Sequence, residues 1–164
     1  MANSALGSAA ARVALAAWDE IIEKQADESV TSSTALQDDN ELKFDVVTDG
    51  VYEFKVVLAY VEPAGSGTPD LDVAFGVSAG AVAGGNSGSH VVGTTGGAAV
   101  HTVNNTVATE ATLGTAGGSR VVVIEGWVRA TADAVFSLQW AQNVSSGNTV
   151  TVQAGSVLMY RRIR

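Results

Sequence analysis

The sequence predicts a mainly β protein: an antiparallel β-sandwich of jelly-roll type preceded by one N-terminal α-helix. Three observations carry that prediction. Apolar and polar residues alternate with a period of two through residues 41–78 and again through residues 120–163. Glycine is plentiful and proline scarce, 18 against 2, which suits many strands joined by tight turns. The closing run Ser137-Leu138-Gln139-Trp140-Ala141-Gln142, the turn Gly155-Ser156 and a last alternating stretch carry the strand pattern almost to residue 164. The chain divides into an N-terminal helical arm, residues 1–27, and a β-sandwich domain, residues 28–164.

Residues 4–25 read as the helix. They are alanine-rich and free of proline, and Leu6, Ala10, Val13, Ala17 and Ile21 recur at three- and four-residue spacing. A second set, Leu15, Trp18 and Ile22, widens the stripe well beyond a narrow seam. A helix apolar over most of its girth needs cover on several sides. Leu6, Val13, Leu15, Trp18, Ile21 and Ile22 are therefore the candidate interface residues. Trp18 is the candidate anchor, because a buried indole often dominates an interface.

The strands follow in order. Residues 41–48 set Leu42, Phe44 and Val46 against Lys43 and Asp45; residues 51–61 set Tyr52, Phe54, Val56, Leu58 and Tyr60 against Glu53 and Lys55. Asp49-Gly50 between them is a hairpin signal. A three-residue loop, Thr48-Asp49-Gly50, puts Phe44 beside Phe54 on one face, with Gly50 left-handed in a bulge. The competing arrangement turns a corner between two sheets, and Phe44 and Phe54 then face each other across the core. Leu71, Val73, Phe75 and Val77 mark the next strand.

Residues 79–119 contain ten of the glycines, no Phe, Trp or Tyr, and the single charge Glu110; valine pulses there predict short strands and long loops of the same domain. Residues 120–130 are apolar on both sides, which predicts a strand covered twice. Phe136, Leu138 and Trp140 share one face, and residues 149–153 and 156–163 complete about eight to ten strands. Trp127 and Trp140 are expected in the core.

Composition narrows function further. Hydrophobic residues make up 46% and aromatics 6%, so aliphatic side chains supply most of the core. No cysteine is present, which removes disulfides, thiolate metal sites and cysteine nucleophiles. The net charge of −8 splits into −10 over residues 1–72 and +2 over residues 73–164. Phosphate backbones need clustered Lys and Arg, so nucleic acid is not expected as a partner. No stretch reaches the roughly 18–20 apolar residues that span a bilayer, and residues 5–17 lack the basic leader of an export signal; no membrane partner is expected.

Chemistry finds no foothold in the pattern. His90 and His101 have no further His or Cys to complete a zinc site. Asp38-Asp39 with Glu41, and Asp70 with Asp72, fall short of a calcium loop. The glycine-rich Gly114-Thr115-Ala116-Gly117-Gly118-Ser119 has no Lys and no strand-to-helix context, so it is no phosphate cradle. No serine occupies a nucleophile elbow. The expectation is a non-enzymatic protein without metal or cofactor.

Several segments resemble a known family. Lys24-Gln25-Ala26-Asp27-Glu28-Ser29-Val30, then Leu36-Gln37-Asp38-Asp39 with Glu41-Leu42, the strand over residues 52–60 and Asp70-Leu71 resemble the opening of small β-sandwich virion proteins of actinobacterial tailed phages. Leu138-Gln139-Trp140-Ala141-Gln142 and Ala154-Gly155-Ser156 resemble their close. The resemblance spans residues 24–163, and the N-terminal arm lies outside it. It implies a structural protein of the virion, made in the bacterial cytoplasm and homotrimeric. The first expectation is a capsid decoration (cement) protein on the outer surface of the major capsid protein lattice. The alternative is a receptor-binding distal domain of a tail fibre or minor tail protein. A cellular trimeric jelly-roll ligand is disfavoured by the missing export signal and cysteines.

Overall fold

The computed structural model describes residues 17–63, 69–77, 82–93, 101–104, 110–113 and 117–164, the backbone alone over 82–93 and 101–104. Twelve strands and no helix occur among the described residues: β1 (Glu20–Glu23), β2 (Glu28–Thr31), β3 (Gln37–Val46), β4 (Val51–Glu62), β5 (Leu71–Val77), β6 (Val82–Gly93), β7 (His101–Asn104), β8 (Ala111–Thr112), β9 (Gly118–Ala130), β10 (Ala134–Gln142), β11 (Thr149–Val152) and β12 (Val157–Arg162). An eight-stranded sheet runs β1-β12-β4-β9-β6-β7, with β11 on β4 and β2 on β11; a four-stranded sheet runs β3-β10-β5-β8. Every pairing is antiparallel. The mainly β, sandwich-like reading holds.

The inward faces follow from alternation. Tyr52, Phe54, Val56, Leu58 and Tyr60 of β4 are buried, and so are Phe136, Leu138 and Trp140 of β10. Phe136 is the hub of the aromatic core: its ring lies 5.2 Å from Phe44, 5.1 Å from Phe54 and 5.2 Å from Phe75. Phe44 also stacks on Tyr160 at 4.0 Å. Such ring pairs add to the area they bury.

Two expectations are corrected. The first is the hairpin: β3 and β4 belong to different sheets, and Phe44 pairs with Phe136 instead of Phe54. The chain turns a corner at residues 47–50, where the backbone of Asp49, not of Gly50, is left-handed, with φ of 61°. Gly50 serves close approach instead, since a Cβ there would lie 2.6 Å from the Tyr52 ring and 2.8 Å from the Val47 carbonyl oxygen. A second corner, between β9 and β10, lies alongside. Asp49 N donates to Ala130 O, Ala130 N to Gly50 O, and Thr48 N to the Asp133 carboxylate at 2.7 Å. The reason is burial: each strand carries a complete apolar face, and opposed sheets bury both faces against each other.

The second correction concerns the helix. Residues 20–23, read as its C-terminal end, are strand β1, and Ile22 pairs with Leu158 across from it. Asp19 N donating to Tyr160 O, and Lys24 N to Ser156 O, extend that ladder at both ends. Without β1, β12 would present a bare edge, and pairing that edge outweighs a local helical spacing. The body thus begins before residue 28, and residues 1–16 lie outside the described residues.

Candidate interaction surface

The outward face of the eight-stranded sheet is built by register. Glu53 sits between Arg161 and Trp127, Lys55 between Met159 and Glu125, and Val57 between Val157 and Val123. Ile21 of β1 extends the second row beyond Met159. Polar pairs cross this face: Lys55 donates to Glu125 at 2.6 Å, and Arg161 Nε to Glu53 at 2.6 Å. Between and beyond them the surface is apolar. Val57, Val123, Val157 and Met159 are half-buried, and Ile21 and Trp127 are each 40% exposed. Val157, Val57, Val123 and Met159 are neighbours on this face, with the Lys55–Glu125 pair between the valines and Trp127, and the exposed apolar residues make it the candidate interaction surface.

The predicted interface residues divide. Leu6, Val13 and Leu15 lie outside the described residues. Trp18 is half-buried with the Arg161 guanidinium over its ring, 5.9 Å from the centroid. Ile21 points outward, whereas Ile22 is partly buried against the protein's own core. Trp127, expected in the core, is on the surface because β9 turns its odd residues outward; Trp140 is fully buried as expected. The same geometry leaves Val121 and Val123, on the outer side of β9, half-buried among the described residues. Val57, Val123, Val157 and Met159 are not among the interface candidates that the sequence offers. The signal was present in β4 and β9, where apolar residues occupy both alternation sets.

The Asp38-Asp39-Glu41 cluster is engaged within the protein itself. The β3–β10 register jumps from Lys43 opposite Ser137 to Asp38 opposite Gln139, and this bulge turns Asp39 inward. Lys24 Nζ donates to both Asp39 oxygens at 3.0 Å and to Glu28 at 2.9 Å, with Lys24 1% exposed and Asp39 fully buried. Asp39 also accepts from Glu41 N, Leu42 N and Trp140 Nε1 at 2.9, 2.8 and 3.2 Å. Burial drags the Lys24 ammonium down in pKa, but the hydrogen bonds and charges of Glu28 and Asp39 prevail, and it sits above its ordinary value. Asp38 accepts from Ser137 Oγ and Gln139 Nε2 instead of facing a cation. Register sets His90 opposite His101, two imidazoles where zinc takes three or four ligands. No group of three or more metal-binding side chains occurs among the described residues.

No family model matches the chain, and no curated protein matches it in sequence.

A small groove opens at the sandwich edge between Glu20, Lys43, Phe44, Asp45 and Tyr160, about 270 Å³ in volume. Its one phenol is engaged: Tyr160 donates to Glu20 at 2.7 Å, and burial followed by that bond raises its pKa well above the ordinary range.

Proposed function

We propose that this chain is a structural protein of a phage virion, a homotrimeric capsid decoration protein that binds the outside of the major capsid protein lattice and stabilises the head. The observation that carries the reading is the apolar outer face of the eight-stranded sheet. There Val57, Val123, Val157, Met159, Ile21 and Trp127 remain partly exposed on a body whose two sheets already bury their own core. The resemblance of residues 24–163 to virion β-sandwich proteins supplies the setting. Binding several capsid subunits at once makes lattice opening lose several contacts together, so stabilisation exceeds any single contact.

The test is location and effect in purified particles. Immunogold labelling is expected to find many copies spread over the head. Heads lacking the protein are expected to open at lower temperature or lower salt than heads carrying it. A few copies confined to the tail tip would transfer the protein to the adhesion class, and equal survival of the two kinds of head would remove the stabilising role.

A further inference from the structure

The outward positions of the eight-stranded sheet carry no excess charge. Alternation turns Glu23, Glu53 and Glu125 outward, and likewise Lys55, Arg129 and Arg161, three acids against three bases. β6 and β7 contain no Asp, Glu, Lys or Arg, and β2 and β11 turn Ser29, Thr31, Thr149 and Thr151 outward. The face is thus formally neutral on a chain that carries −8.

Its polar groups are also bonded already. Lys55 holds Glu125 and Arg161 holds Glu53, each at 2.6 Å, and Arg129 lies 3.6 Å from Asp49. The hydroxyls of Ser29 and Thr151 share a hydrogen bond of 2.8 Å, and those of Thr31 and Thr149 one of 2.9 Å. Glu23 stands at the rim, on the edge strand. What the face offers a partner is therefore aliphatic. Val57 lies between Val157 and Val123, Ala59 beside Val121, and Met159 and Val61 extend the patch along the strands, all half-buried.

Extent narrows the occupant. From the row of Met159 and Lys55 to Val61 is about 20 Å along strands about 4.8 Å apart, which makes a patch on the order of 250 Å². A stable two-body interface takes roughly 800 Å² from each partner, so this patch alone does not hold two copies together. It suits an occupant held at several points at once, as a trimer with three such faces holds a lattice.

We propose that this face docks on an uncharged aliphatic patch of the lattice protein, by apolar contact and without ion pairs between the partners. The inference rests on the virion reading for the partner and adds the chemistry of the contact. A charged partner surface would lose its water opposite valines and meet no free counter-charge. Apolar contact, unlike ion pairing, is not weakened by salt, and sulfate strengthens it.

The test loads the full-length protein onto purified heads that lack it, and counts copies per head by gel densitometry after sedimentation. Between about 0.1 and about 1 M NaCl, occupancy by the unaltered protein is expected to hold steady, and to rise in sodium sulfate. V57T/V123T/V157T keeps the side-chain shape and the strand preference and exchanges three methyls for hydroxyls, so occupancy is expected to fall about tenfold. K55Q/E125Q, which removes one closed ion pair, is expected to bind within about twofold of the parent. Circular dichroism checks that both variants are folded, and the salt series needs no variant. Occupancy that collapses with salt, or that is lost in K55Q/E125Q and kept in the valine variant, overturns the inference and leaves the virion reading standing. Failure of the unaltered protein to bind heads at any salt overturns the virion reading and this inference with it.

Discussion

Replacing Lys24 with methionine tests how the interior is held. The ammonium gives Asp39 two contacts of 3.0 Å inside a region where Lys24 is 1% exposed and Asp39 fully buried. Methionine keeps most of the volume and leaves a carboxylate without its cation. Removing one partner of a buried pair costs about 3–5 kcal/mol, because the remaining charge stays desolvated. Asp39 retains three N–H donors, from Glu41, Leu42 and Trp140, which places the cost near the lower bound, about 3 kcal/mol. For a chain of this length that corresponds to a fall in Tm of roughly 6–12 °C. The assay is thermal unfolding by circular dichroism at fixed chain concentration, since any assembly would make Tm concentration-dependent. D39A strands three donors and is expected to lose more. The double variant K24M/D39A is expected to lose less than the two losses added, by about 2 kcal/mol, as coupled neighbours do. A K24M protein melting within about 2 °C of the parent, or strictly additive losses, would refute the claim that the pair is desolvated and coupled.

Three further outcomes are expected. Lys24 and Tyr160 both hold their protons more tightly in the folded state, so their contributions are complete below their unfolded pKa values and drain away as pH rises through the folded ones. Tm is therefore expected to decline above about pH 10, with Y160F flattening part of the slope; a decline unaffected by Y160F would exclude that phenol. G50A is expected to cost about 2 kcal/mol, because its Cβ meets the Tyr52 ring and the Val47 carbonyl oxygen. G76A is expected to cost less than about 1 kcal/mol, since the group it meets is the movable amide of Gln139, whose bond to Asp38 is all that is lost; chemical denaturation of the two variants reads the difference. W127F, which keeps a ring on the half-exposed position, is expected to shift stability by no more than about 0.5 kcal/mol while W140F, at a fully buried position bonded to Asp39, costs several-fold more; equal effects in urea titrations would contradict the different burial of the two indoles.

How far the sequence reaches is clearest in particular strands. β4, β5, β10 and β12 were legible because a half-buried strand must alternate, and Phe54, Phe75, Phe136 and Leu158 all lie inward as the alternation requires. Gly155 in the β11–β12 turn was equally legible, with φ of 82° that few other residues adopt. The surface was only half legible. Alternation separates two sides of a strand but does not say which side a neighbouring sheet will cover, so Trp127 reads as core from sequence although its side of β9 faces outward.

Tertiary structure decided the rest. Asp49-Gly50 suits a hairpin and a corner alike, and only the need to bury Phe44 and Tyr52 from opposed sheets selects the corner. Glu20-Ile21-Ile22-Glu23 carries a helical spacing in isolation and becomes a strand because β12 offers it an edge. Lys24 and Asp39 are fifteen residues apart and carry no local sign of pairing; a bulge in β3 brings them together. What the amino-acid sequence settled alone was the period of the side chains, a property of each backbone segment. Which segments share a sheet, and which charges share an interior, depends on free energies of contact between residues far apart in the chain, and no local pattern records those.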